Sequence, residues 1–229
     1  MNHTSVNPIT EDDIAQFLAN TPGFFERHAE LLGSITITSP HGQRAVSLQE
    51  RQAEMLREKI KGLEHRIMDM VRHGNENAAI GDKVHQWSRA LLEVRDAAAL
   101  PRAVEQGMQQ LFDVPQVALR LWGLAPAHAD APCTQGVSED VRSFASSLTM
   151  PFCGPNLGFE ATAWLAEPAQ AQSLALLPLR RGAIDSADEP AFGLLVLGSP
   201  DVHRFEATMG TEYLARMAEL ASAALSRML

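Results

Sequence analysis

Residues 47–70 constrain the fold more than any other stretch. Ser47-Leu48-Gln49-Glu50 is a capping box: the serine hydroxyl accepts from the third amide on, and the glutamate reaches back to the serine amide. A heptad repeat follows, with Ala53, Ile60 and Ile67 at a and Leu56, Leu63 and Met70 at d. Glu54, Glu58, Lys59, Lys61, Glu64 and Arg66 flank the apolar positions, as a solvated exterior requires. An apolar stripe on a charged helix has to be covered. The expected cover is a second copy of the chain, a homodimer through Ala53, Leu56, Ile60, Leu63, Ile67 and Met70; the alternative is residues 10–33 folded onto the same face. The register decays at Gly74, Asn77 and Gly81 and returns at Val84 and Leu91. Residues 47–95 therefore read as one helix of about 70 Å at ~1.5 Å per residue, kinked near 74–81.

Ahead of this arm, Thr10 and Asp13 form a T-x-x-D cap before Ile14, Phe17 and Leu18. Thr21-Pro22 reads as a second cap with proline in the first helical position, followed by Phe24, Phe25, Leu31 and Leu32 up to Gly33. Two short helices in a hairpin result. Residues 34–39 alternate Ile35 and Ile37 with polar neighbours, an extended pattern that Pro40-His41-Gly42 breaks. From residue 96 the texture becomes alternating helices and strands. This gives two parts, a helical region over 1–95 and an α+β domain over 96–229. Helices are expected over 100–112, 138–148 and 205–228, and strands over 117–122, 173–179 and 192–197. Pro151-Phe152-Cys153-Gly154-Pro155 reads as a rigid turn. Arg180, Arg181, Asp185, Asp188 and Glu189 read as an exposed hairpin loop.

Charge bears on partners. The net charge is −9; residues 1–95 hold 11 Lys/Arg against 13 Asp/Glu, and residues 96–229 hold 8 against 15. A surface of that sign repels phosphate backbones, so direct nucleic-acid binding is not expected. Two cysteines, Cys133 and Cys153, make neither a disulfide framework nor a thiolate zinc site. The polar N-terminus lacks the apolar core of a secretory signal and no apolar run approaches the ~20 residues of a membrane span, so a cytoplasmic protein is expected. Neither a P-loop, a dinucleotide fingerprint, a zincin motif nor a nucleophile elbow is present. The 8 histidines are scattered and suggest no metal site. No cofactor is indicated.

Ile14-Ala15-Gln16-Phe17-Leu18, Pro22-Gly23-Phe24-Phe25, Glu30-Leu31-Leu32, Pro40-His41 and Ser47-Leu48-Gln49-Glu50-Arg51-Gln52 together resemble the bacterial domain of unknown function 484 family. So do Leu56-Arg57-Glu58, Cys153-Gly154, Leu176-Leu177-Pro178-Leu179, Gly193-Leu194-Leu195-Val196-Leu197-Gly198-Ser199, Asp201, Arg204-Phe205 and Met209-Gly210-Thr211. The resemblance implies a helical region followed by a GAF-like domain: an antiparallel sheet with the N- and C-terminal helices on one face and a pocket on the other. Trp122, Phe152, Cys153, Trp164 and Ser173 are the candidate pocket residues. The expected function is a non-catalytic sensory, regulatory or protein-interaction module, taking a small molecule or a partner protein. A ligand-free scaffold is the alternative, and a thiol-dependent enzyme using Cys153 a second one. Asp201 and Arg204 read as a loop cap with an ion pair.

Overall fold

The computed structural model describes residues 9–34, 36–38, 45–186, 189–207 and 210–229. Two compact units divide at Asn75/Glu76, within a helix, whereas the sequence texture changes at 95/96. The helix is part of both.

In the first unit α1 (Glu11–Asn20) starts with the expected reciprocal cap: the Thr10 side chain accepts from the Asp13 amide, and the Asp13 carboxylate accepts from the Thr10 amide. The Thr10 hydroxyl also donates to that carboxylate at 2.7 Å, and it, with the Thr10 amide, holds the Asp13 carboxyl below its usual pKa. Thr21 departs from expectation. It closes α1, its amide donating to Leu18, and the next helix, α2 (Phe24–Arg27), has Gly23 at its cap with no side-chain bond. α3 (Ala29–Ser34) runs into the stretch expected to be extended. Strands β1 (Thr36–Thr38) and β2 (Ala45–Ser47) then pair antiparallel, Ile37 opposite Val46. The expected break at Pro40-His41-Gly42, and Ile35, lie outside the described residues. α4 follows without interruption over Leu48–Glu93.

The second unit is built on a four-stranded antiparallel sheet in the order β3-β6-β5-β4. The strands are β3 (Gln116–Leu121), β4 (Phe152–Pro155), β5 (Ser173–Leu179) and β6 (Gly193–Ser199). Every residue of β5 and β6 is buried, which is why both read as near-continuous apolar runs: these central strands are covered on both faces. Pro178 is tolerated in β5 because β4 pairs only as far as Leu176. One face carries Leu119, Leu121, Ala175, Leu177, Leu179, Leu195 and Leu197 against the end of α4, α5 (Leu100–Leu111) and α7 (Glu212–Leu225). The other carries Ala118, Leu174, Leu176, Leu194 and Val196 against α6 (Glu139–Ser147) and the 3-10 turn at Glu160–Trp164. The chain is thus α+β, a long helix followed by an antiparallel sheet flanked by helices, as the resemblance implies.

Four further expectations change. Val84 and Leu91, where the heptad returns, pack with Trp87 into the sheet unit's own core; they do not extend the exposed stripe. The stretch around Cys153 is strand β4, paired with β5, where a turn was expected. The final helix starts at Glu212, and Phe205 sits in a turn ahead of it; Met209 lies outside the described residues. Arg180, read as loop, is only 1% exposed. Its guanidinium donates to the carbonyls of Ser186 (2.6 Å), Ala145 (3.3 Å), Ser146 (3.2 Å) and Leu148 (2.6 Å). Three of these carbonyls lie at the end of α6, where a cation also meets the negative end of the helix dipole. Burial lowers the Arg180 pKa. Asp188, from the same loop, lies outside the described residues.

Gly107 explains how α4 seats against α5. A β-carbon there would lie 2.1 Å from Nε1 of Trp87, so the indole rests directly on the α5 backbone at this position. Phe112 meets the same ring edge-on at a centroid distance of 6.0 Å.

Candidate functional site

The heptad positions of α4 from Leu56 to Met70 are exposed, as are Met55, Met68 and Val71 beside them. Leu56 is 60% exposed, Ile60 52%, Leu63 48%, Ile67 59% and Met70 72%; Ala53, the first position, is half-buried. Apolar side chains at 3.5-residue spacing stay in water here only at a cost, because each fully buried Leu or Ile would gain about 1.5–3 kcal/mol. Among the described residues no element of the chain buries them. The neighbouring charges are arranged along the helix: Arg51 pairs with Glu54, His65 with Asp69, and Arg72 with Asp69.

The five pocket candidates fall on opposite faces of the sheet. Phe152 and Cys153 are consecutive in β4, and consecutive strand residues point in opposite directions. Trp122, Phe152 and Trp164 join the cluster beneath α6, whereas Cys153 belongs to the cluster beneath α5 and α7. Ser173, in alternation with Ala175 and Leu177, lies on the Cys153 face, fully buried, its hydroxyl donating to the Asp201 carbonyl at 2.6 Å. On the other face, Phe159 packs against Phe152 (5.0 Å between centroids) and Phe144 (5.8 Å). Trp122 donates to the Ala191 carbonyl at 2.7 Å and Trp164 to the Gly136 carbonyl at 3.0 Å, so both indole N–H groups are satisfied by backbone. Arg120 lies over the Trp164 ring at 5.5 Å. The chain's own aromatic side chains occupy this face.

The Cys153 thiol is buried, and burial pushes its pKa up to about 11. A thiol held that way is a poor nucleophile at neutral pH. Cys133 is also buried and its pKa raised, by burial first. Near it, at the open edge of the sheet, the Glu105 carboxylate accepts from the Leu119 amide at 3.0 Å, and the Arg120 guanidinium donates to the Leu119 carbonyl at 2.9 Å. Burial raises the Glu105 pKa, against the lowering effects of that amide bond and of Arg120.

A cavity of about 720 Å³ opens elsewhere in the sheet unit, between α4, the end of α5, the loop after β6 and the start of α7. That volume is in the ~300–1,000 Å³ range of small-molecule pockets. Ile80, Met108, Phe112, Leu197, Phe205 and Met217 give it an apolar lining, and Lys83, Arg204 and Arg216 add cations beside the Glu212 carboxylate. Its walls are tied together. The Tyr213 hydroxyl donates to the Asn77 carbonyl at 3.2 Å, Lys83 lies 3.3 Å from Asp113, and Arg204 donates to the Phe112 carbonyl at 2.9 Å. The expected Asp201–Arg204 pair is replaced by that last bond; Asp201 instead caps its own turn through the His203 amide. Asp113 adopts φ 55°, and with the Val114 amide donating to Met108 it closes α5. A second cavity, of about 750 Å³, lies between the turn after β5 and α7 and is lined by Arg181, Gly182, Glu219, Ser222 and Ser226. Among the described residues no cluster of His, Cys, Asp and Glu has the makings of a metal site, and no helix is long and apolar enough to cross a membrane.

Sequence reasoning did not single out the cavity. Asn77 and Arg204 were conspicuous for other reasons, as a break in the heptad and as a loop cation. The rest of the lining comes from four separate segments and leaves no local signal.

Three solved structures are similar to this chain at low identity. One is the GAF domain of a putative sensor histidine kinase from Pseudomonas syringae pv. tomato, at 21% identity and a TM-score of 0.44, covering 68% of this chain and 91% of that one. Another is free methionine-R-sulfoxide reductase from Neisseria meningitidis in complex with its substrate, at 14% and 0.43, covering 64% and 88%. The third is a far-red cyanobacteriochrome photoreceptor, at 13% and 0.39, covering 68% and 98%. No curated protein matches the chain. A family model described as "Protein of unknown function, DUF484" matches residues 4–229, and the chain belongs to that family.

Proposed function

We propose that the chain is a non-catalytic regulatory module, a homodimer through the exposed stripe of α4, in which ligand or partner occupancy of the sheet unit is read by that helix. One observation carries the proposal. The same uninterrupted helix bears the unburied heptads and supplies Asn77, Ile80 and Lys83 to the wall of the cavity. A ligand that prefers one packing of that wall would change the equilibrium of the helix, and differential affinity is all such a mechanism requires. The preferred ligand is a small amphipathic anion, because Lys83, Arg204 and Arg216 outnumber Glu212 around an apolar floor.

Native mass spectrometry of the purified protein tests this. The expected result is a dimer with an additional mass on each chain. A monomer would refute the use assigned to the stripe.

A second reading, a ligand-free scaffold, draws on a different observation: the sheet face beneath α6 is filled by Trp122, Phe144, Phe152, Phe159 and Trp164. A bare dimer that captures no anion from a mixture of fatty and aromatic carboxylates would favour it. The thiol-enzyme alternative gains no support from a cysteine whose pKa is pushed up to about 11.

A further inference from the structure

We infer that the α4 stripe pairs with a second copy in parallel, in register, over a seam confined to residues 53–70. This rests on the dimer reading and fixes its orientation and its length.

Orientation follows from the residues beside the stripe. With Ala53, Ile60 and Ile67 at a, the g positions are Gln52, Lys59 and Arg66 and the e positions Arg57, Glu64 and Val71. Lys59 and Glu64 are both exposed, and neither has an ion-pair partner among the described residues. They cannot pair with each other in one helix, because only residues three or four apart face one another there. Between parallel strands, however, a g residue meets the e residue five places on in its partner. Lys59 then faces Glu64 of the partner subunit twice across the two-fold axis, and the remaining contacts, Gln52 with Arg57 and Arg66 with Val71, involve no like charges.

Antiparallel pairing does worse in every alignment. Setting Ala53 opposite Met70, and Ile60 opposite Leu63, brings g against g and e against e. Lys59 then meets Arg66 twice, which offsets the two Arg57–Glu64 pairs. Shifting by one heptad sets Arg66 against Arg66 and Glu64 against Glu64, or Lys59 against Lys59 and Arg57 against Arg57. The apolar positions bear on number: isoleucine at two of the three a positions with leucine at two of the three d positions favours two strands over three or four in a parallel seam.

Length follows from what happens after Met70. Gly74 and Gly81 leave a positions empty, and the Asn77 carbonyl accepts from Tyr213. Of the next heptad residues, Leu91 is in the core of its own sheet unit and Val84 packs, half-buried, against that core. They have no apolar face left for a second chain.

Cysteine crosslinking of the full-length protein distinguishes the arrangements, since Cys133 and Cys153 are buried. Ala53→Cys alone, oxidised under mild conditions, should give a disulfide-linked dimer, and Met70→Cys alone should do the same. A mixture of the two variants should give no disulfide joining position 53 of one chain to position 70 of the other. Predominance of that mixed linkage would overturn the parallel register while leaving the dimer intact. A dimer by native mass spectrometry with none of these crosslinks would place the interface elsewhere and overturn the seam. A monomer would overturn both the seam and the dimer reading. Charge reversal gives an independent check: Lys59→Glu should raise the dimer dissociation constant about 10-fold, since two attractive exposed pairs become repulsive, and Lys59→Glu with Glu64→Lys should restore it. Failure of the double exchange to rescue would refute the Lys59–Glu64 contact.

Discussion

Replacing Gly107 by alanine should destabilise the protein, although alanine is the better helix former. The gain from propensity is about 0.8–1 kcal/mol. Against it stands a collision: the new β-carbon would lie 2.1 Å from Nε1 and 2.2 Å from Cδ1 of Trp87. Carbon contacts are optimal near ~3.5–4 Å, so the indole must retreat by more than about 1 Å. It has little room, being 1% exposed and set edge-on against Phe112. Overpacking of this kind costs about 1–3 kcal/mol, and a rigid ring puts the cost at the upper end. Net destabilisation is therefore roughly 2 kcal/mol. The decisive measurement is a double-mutant cycle with Trp87→Leu, by urea unfolding followed by far-ultraviolet circular dichroism at one protein concentration. Trp87→Leu should itself cost about 2–4 kcal/mol through the cavity it leaves. On that background Gly107→Ala should become stabilising by about 1 kcal/mol, because the obstacle is gone and only propensity remains. A stabilising effect of Gly107→Ala in the wild-type background, or the same sign in both, would refute the close seating of α4 on α5.

Three further outcomes are expected. Arg180→Met should destabilise by about 3–5 kcal/mol, since several buried carbonyls lose a charged donor, and lower the melting temperature by roughly 10 °C; Arg180→Lys should recover only part, having no planar fork. Cys153 should resist iodoacetamide at pH 8 in the folded protein, with roughly one thiol in a thousand ionised at a pKa of about 11, and react once urea exposes it; rapid native labelling mapped by peptide mass would contradict the burial. Glu105 has its folded-state pKa raised above the ordinary 4.5, so its contribution is fully present below that value and is lost as pH rises through the folded pKa. The melting temperature of Glu105→Gln, measured against wild type between pH 4 and pH 8, should accordingly gain on it as pH rises, and the opposite trend would show a carboxylate stabilised by its surroundings.

Local chemistry was legible in the sequence wherever it decided the outcome by itself. The Thr10–Asp13 cap and the apolar runs of β5 and β6 depend on neighbours a few residues away, and the structure has them where periodicity puts them. Period alone names a face of a helix and not what covers it, so Val84 and Leu91 looked like more of the stripe when they belong to the core. Prolines on both sides of Cys153 signal a turn, but pairing with β5 prevails, and the resulting strand sends Phe152 and Cys153 to different faces. A candidate pocket containing both was therefore split. Arg180 looked like a surface cation because only the folded chain brings the end of α6 to it.

The bonds at Leu119 bear on how copies of this chain can meet. A border strand normally presents amides and carbonyls that another strand can adopt, the route by which sheets grow into fibres. Here the outward amide of Leu119 is held by Glu105 and its carbonyl by Arg120, midway along β3. A foreign strand approaching that border would have to displace a carboxylate and a guanidinium before gaining its first pair of bonds. At high concentration this plug discourages polymerisation through β3.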